Sequence, residues 1–176
     1  MSDSHATRKK SDRGLFSVAQ IQHVLRVEFA RAQRYAYPMA CLSVAVDQLG
    51  LVRDRCGYEV KEEIMDAVVE LVRESTRSSD FLGRTADDRL MAVIPHTGAA
   101  GARTLGERLI ESMRGREFAH AKDLGRISLS IGASSNEGSK ALYFDSLLES
   151  AEAALAEAIA AGGDRYVERR ALAPGM

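Results

Sequence analysis

What this chain lacks narrows its function before any motif is read. Cysteine is scarce: Cys41 and Cys56 are the only two in 176 residues. They sit in or beside predicted regular structure, without metal-ligand spacing, so a disulfide framework is excluded and a reducing, cytoplasmic compartment is expected. An excess of charge of either sign is also missing, since 24 Lys and Arg against 25 Asp and Glu leave a net charge of −1. No global positive field is available to hold DNA or an anionic membrane, so neither nucleic acid nor membrane is an expected partner. The longest apolar runs are strand-sized, which gives no membrane span, and no secretory signal is visible. His5, His23, His96 and His120 are scattered without metal-like spacing. No internal repeat or low-complexity tract interrupts the chain.

What is present suits one globular domain with a good core, with 45% hydrophobic and 28% charged residues. Residues 1–13 carry Arg8, Lys9, Lys10 and Arg13 with no periodic apolar pattern, and are expected to be a disordered basic arm. Val18, Ile21, Leu25, Phe29 and Ala32 recur at helical spacing, which predicts an amphipathic helix over 17–35 with Arg26, Glu28, Arg31 and Gln33 on its outer face. Pro38 ends it. Met39 to Val46 is nearly continuous in apolar and small residues and predicts a central strand covered on both faces.

A loop or short helix follows to Cys56, then a longer helix from Gly57 to about Thr76, with Val60, Ile64, Val68, Leu71 and Val72 on its buried side. A hairpin over 80–95 and a helix over 98–114 come next. A polar connection leads to Arg126–Ser134, whose alternation of Ile127, Leu129 and Ile131 with serines predicts a half-buried strand. After a loop at 135–140, a helix is expected from Ser146, with Glu149 completing a capping box, to Gly162-Gly163. A short strand, Arg165–Val167, precedes a tail assigned to 169–176. The order helix, strand, helix, hairpin, helix, strand, helix, strand defines an α+β fold: one mixed sheet covered by helices.

The hairpin carries the chemistry. Phe81–Thr85 and Leu90–Ile94 flank Ala86-Asp87-Asp88-Arg89, a tip with two adjacent carboxylates and a guanidinium. Such a tip reads either as a solvated polar turn or as a place for a divalent cation, which prefers carboxylate oxygens. No third ligand is in sight, so no metal is assigned.

Taken together, the landmarks resemble the GGDEF domain of bacterial diguanylate cyclases from about Gly14 to Val167. Gly14-Leu15 with the helix ending ARAQRY, the strand MACLSVAVD, Gly57-Tyr58, GRTADDRLMAVIP, ERL at 107–109, SIGAS at 130–134 and the closing Gly-Asp-Arg-Tyr-Val stand in the family's order and spacing. The resemblance implies a palm-like core over 14–168. It also implies chemistry in which two GTP molecules become cyclic di-GMP through positioning and Mg²⁺.

Most positions that would supply that chemistry are altered. The metal-binding aspartate matches Ala45, while Asp47 matches the second acid of that segment, not the usual ligand. The guanine-reading asparagine matches Arg53, and the guanine-reading acid matches Glu62, one methylene longer. The signature reads Ala86-Asp87-Asp88-Arg89-Leu90. Its two glycines are replaced by Ala86 and Asp87, Asp88 keeps the third-position acid, and Arg89 replaces the fourth. The phosphate-contacting lysine matches Ile159, and the arginine after the closing glycine matches Gly163. The resemblance therefore implies a degenerate domain with no catalytic residues, no cofactor and no metal.

One family site is kept in pattern. Arg77-Ser78-Ser79-Asp80 has the spacing of the RxxD product site, and Arg108 matches an arginine that often completes it. Arginine can grip phosphate or a guanine edge, and aspartate can accept from guanine donors. The same residues also read as an ordinary solvated helix end. Three functions stay open: a cyclic di-GMP receptor, a protein-interaction module in a bacterial signalling pathway, and a GTP-binding or weak cyclase domain. Homodimer formation is a further expectation from the family.

Overall fold

The computed structural model describes residues 15–137 and 143–171. The expected basic arm over 1–13, part of the loop expected over 135–140, and residues 172–176 of the expected tail lie outside them.

Ser17 opens α1 (Val18–Tyr35). Its hydroxyl accepts from the Gln20 backbone N–H at 3.3 Å, while the Gln20 side-chain oxygen accepts from the Ser17 N–H at 2.9 Å. That reciprocal pair satisfies two of the helix's orphan donors. Ala36, in the left-handed region, terminates the helix just before Tyr37-Pro38. β1 (Met39–Val46) follows, then α2 (Leu49–Cys56) and α3 (Tyr58–Ser75), separated by Gly57 at φ 95°. β2 (Phe81–Arg84) and β3 (Leu90–Pro95) form the hairpin, and α4 (Ala99–Arg114) follows. A short 3₁₀ helix (Ala119–Leu124) leads to β4 (Leu129–Ser135), α5 (Phe144–Ala160) and β5 (Arg165–Arg170).

The strands make one sheet in the order β2-β3-β1-β4-β5. β4 and β5 run parallel and the other pairs are antiparallel. The mixed, helix-covered α+β sheet read from the sequence is the fold observed. β1 is its central strand, and the strand period of two divides its side chains between two cores. Ala40, Leu42 and Val44 face a core built with α3 and α4, where Ile64, Val68, Leu109 and Met113 are buried. Met39 and Cys41 face a second core with Ile21, Leu25 and Phe29 of α1 and Leu147 and Ala151 of α5. Burial pushes the Cys41 thiol up to about 12, so it stays a protonated, unreactive core residue.

The structure corrects four local expectations. β4 is buried along its whole length rather than half-buried, because β1 and β5 flank it and α5 presses on the serine face. A Cβ at Gly132 would stand 2.1 Å from the Leu155 backbone nitrogen, so only glycine permits that helix–strand approach. α5 begins at Phe144, not Ser146, and the side chain of its N-cap residue Tyr143 makes no capping hydrogen bond. β5 continues to Arg170, three residues beyond the strand read from the sequence, because its partner β4 extends to Ser135. Glu28, assigned to the outer face of α1, is buried, and its carboxylate accepts from Arg31 at 3.1 Å and the Tyr37 hydroxyl at 3.2 Å.

Candidate functional site

The hairpin tip closes with the Thr85 N–H donating to the Arg89 carbonyl at 2.8 Å. Asp88 sits at φ 59°, the left-handed position that a three-residue hairpin loop requires. Aspartate tolerates this conformation better than most residues. Asp87 stays on the outside, where it accepts from the Thr85 hydroxyl and pairs with Arg89 at 3.3 Å. Asp88 is engaged by two cations instead. Lys61 Nζ donates to its Oδ2 at 2.7 Å, and Arg84 Nη2 donates to its Oδ1 at 2.6 Å. The same cations hold Glu62: Lys61 Nζ lies 3.0 Å from Oε1, and Arg84 reaches the two carboxylate oxygens at 2.9 and 3.3 Å. Lys61, only 7% exposed, comes from the first turn of α3, and Arg84 from the last residue of β2. Two acids and two cations thus form one closed network.

Burial alone would push both carboxyls up, but hydrogen bonds from Arg84 and Lys61 outweigh it and hold Glu62 and Asp88 below the usual carboxylate range. For Lys61, burial pulls the ammonium down and its hydrogen bonds to Asp88 and Glu62 more than restore it. Both carboxyls therefore titrate lower folded than unfolded. Their contribution to stability is complete above the unfolded carboxylate range, near pH ~4, and is lost as pH falls through the folded values. A scan of melting temperature against pH should show this acid loss in the wild type. It should be shallower in a Lys61→Met, Arg84→Met double variant, and identical slopes would disprove the linkage.

The other positions singled out in the sequence lie outside this network. Asp47, beyond β1, accepts from the Ser128 and Ser130 hydroxyls, each at 2.6 Å, and from the Asp164 N–H at 2.9 Å. It ties together the ends of β1, β4 and the closing turn, which is a structural task. Gly163, at φ 74°, packs on that carboxylate, and a Cβ there would lie 2.8 Å from Asp47 Oδ2. Ala45 is half-buried and offers no ligand atom. Arg53 is exposed and, among the described residues, pairs with its neighbour Asp54 at 3.3 Å, and Ile159 is 43% exposed.

These residues do not fit the divalent cation that this site carries in the resembled family. Asp88 is already bound by Lys61 and Arg84, and Ala45 offers no oxygen beside it. Among the described residues no three His, Cys, Asp or Glu side chains gather in a metal-binding group.

The RxxD segment is brought together as a unit. The Arg77 N–H donates to Asp80 Oδ2 at 2.8 Å, and the Asp80 N–H returns to the Arg77 carbonyl at 3.0 Å. Arg108, from α4, donates to the Ser75 carbonyl at 3.0 Å, two residues before Arg77. This also caps the C-terminal end of α3, where a cation is favoured. Asp80 Oδ1 is buried without a hydrogen-bond partner among the described residues. Burial raises the Asp80 carboxyl above its ordinary value, against the lowering effect of Arg77. An exposed arginine beside an acceptor that lacks a donor is an incomplete polar site.

Sequence reasoning missed Lys61 and Arg84. Lys61 falls at helical spacing on the inward side of α3, three residues before Ile64, and that placement of a charge was the available signal.

An α+β palm with an acid-bearing hairpin beside its central strand is the architecture of GGDEF domains. Residues 14–165 match the family described as diguanylate cyclase, GGDEF domain, and the chain belongs to that family. It is 26% identical over 152 residues to the diguanylate cyclase DgcP of Pseudomonas aeruginosa, covering 86% of this chain and 22% of that protein. It is 31% identical over 121 residues to the diguanylate cyclase DosC of Escherichia coli, covering 65% of this chain and 25% of that protein. The chain thus spans about a quarter of the length of these relatives. In fold it superposes on the coiled coil and GGDEF domain of DgcB from Caulobacter crescentus, determined in complex with c-di-GMP, with a TM-score of 0.81. The identity there is 18%, with 94% of this chain and 91% of that one covered. No helix among the described residues is long and apolar enough to cross a membrane.

Proposed function

We propose that this is a non-catalytic GGDEF domain of cyclic di-GMP signalling, which reads the nucleotide at Arg77, Asp80 and Arg108 and passes the signal to a protein partner. The observation that carries the reading is the closed network: Lys61 and Arg84 neutralise both acids that the cyclase pattern retains. A domain of this kind has no place to seat metal-bound GTP, but it keeps an open polar segment on the opposite end of α3. The unpartnered Asp80 oxygen supports ligand recognition there: turning the carboxylate outward from its buried position would let guanine N–H donors satisfy it, and the exposed Arg77 would meet a phosphate or a guanine edge. Two solved relatives support the signalling role: DgcB was determined with c-di-GMP, and the diguanylate cyclase SiaD of Pseudomonas aeruginosa with its activator SiaC.

Isothermal titration with cyclic di-GMP tests the reading. Saturable binding is expected, and Arg77→Ala should weaken it by roughly 1.5–3 kcal/mol, the range of a charge-assisted hydrogen bond. Arg170→Ala, at an exposed arginine with no ion pair among the described residues, is the control. No heat from the wild type, with an unchanged melting temperature, leaves a ligand-free interaction scaffold. Because acceptance from guanine donors needs an ionised Asp80, affinity should also fall as pH is lowered through its raised value. A pH-independent affinity in the wild type would remove Asp80 from the site.

A further inference from the structure

A second cleft lies where α4 ends and the chain turns back toward β4. It has a volume of about 430 Å³. Arg114, Arg116, Lys122 and Arg126 line it together with Phe118 and a single carboxylate, Glu117. Arg114 is anchored. Its Nε donates to Asp164 Oδ1 at 2.9 Å and its Nη2 to the Asp164 carbonyl at 3.1 Å, and Glu111 lies 3.3 Å away. Arg116, Lys122 and Arg126 face no carboxylate within ion-pair distance among the described residues, although the chain holds 25 acids.

Three unpaired cations around one concave space repel each other, and Glu117 offsets only one of them. A bound anion would relieve that repulsion, and two guanidinium groups suit oxyanions with several acceptor oxygens. The backbone supports the shape. Gly125 stands at φ 72°, and a Cβ there would touch nothing, so the rim of the cleft stays open. The net charge of −1 makes this surplus local rather than a property of the whole surface.

We propose that the cleft formed by Arg116, Lys122 and Arg126 is a binding site for a small multiply charged phosphate compound. It is separate from both the Asp88–Lys61 network and the RxxD segment. The cations contact the phosphate oxygens, and the Phe118 ring forms the apolar side of the site.

Inorganic pyrophosphate is the probe, titrated calorimetrically without divalent metal into the wild type, an Arg116→Gln, Arg126→Gln double variant, and an Arg170→Gln control. Arg114 is left intact because it holds the Asp164 turn. One saturable site is expected in the wild type and the control, with affinity falling as salt rises. The double variant should bind at least about tenfold more weakly, the equivalent of one lost charge-assisted contact. Absence of saturable binding by the wild type, or equal binding by the double variant, overturns the proposal. Binding to anionic vesicles with no response to pyrophosphate overturns it as well, because the cleft would then serve a surface and not a small anion. A cyclic di-GMP titration of these proteins beside the Arg77→Ala variant reads the RxxD proposal separately, so either site can fail without the other.

Discussion

Purified protein incubated with GTP and Mg²⁺ or Mn²⁺ is expected to yield no cyclic di-GMP above a blank. Three separate losses act together. Ala45 presents a methyl where the cyclase pattern has a metal-binding carboxylate. Asp88, the retained signature acid, is held by Lys61 at 2.7 Å and Arg84 at 2.6 Å and is not free to bind metal or assist an attacking hydroxyl. Ile159 and Gly163 stand where the resembled pattern has a lysine and an arginine that contact phosphate. Removing one preorganised electrostatic group from an active site typically costs on the order of a hundredfold or more in rate. Several together are expected to place turnover far below detection. Ala45→Asp alone should not restore activity, since Lys61 still occupies Asp88 and the clamps are still absent. Chromatographic detection of cyclic di-GMP that grows with enzyme concentration would sink the non-catalytic reading.

The second large effect belongs to Asp47, and it falls on stability. Asp47→Ala removes the acceptor of the Ser128 and Ser130 hydroxyls and of the Asp164 N–H, and Ser130 is fully buried. Hydrogen bonds to a charged group contribute roughly 1.5–3 kcal/mol each, but they share one carboxylate and do not add. A net loss of about 3 kcal/mol is expected, a fall of roughly 10 °C in melting temperature for a domain of this size. Asp47→Asn should fall between, because an amide keeps one acceptor oxygen. Melting followed by circular dichroism decides it: a shift of less than about 2 °C for the alanine variant would mean that the turn is held by other contacts. The result separates a structural acid from a vestigial metal ligand, for which removal would leave stability unchanged.

The element order, the central position of β1 and the hairpin were legible in the sequence. Each depends on a local signal: the helical spacing in α1, the unbroken apolar run in β1, and the polar interruption between β2 and β3. The RxxD segment was legible as spacing for the same reason, since Arg77 and Asp80 share one turn. What the sequence could not state is which charges meet. Lys61 and Asp88 are 27 residues apart, and Asp47 and Asp164 are 117 apart. Only the packing of α3 against the hairpin, and of the closing turn against the end of β1, joins them. β4 shows the same limit. Its serines alternate with apolar residues like a strand with one wet face, but their burial was decided by the neighbours on both sides and by α5 lying on Gly132. Period and propensity are properties of neighbouring residues, whereas burial and charge pairing depend on distant ones, so the tertiary structure alone decided that the acids of this site are already taken.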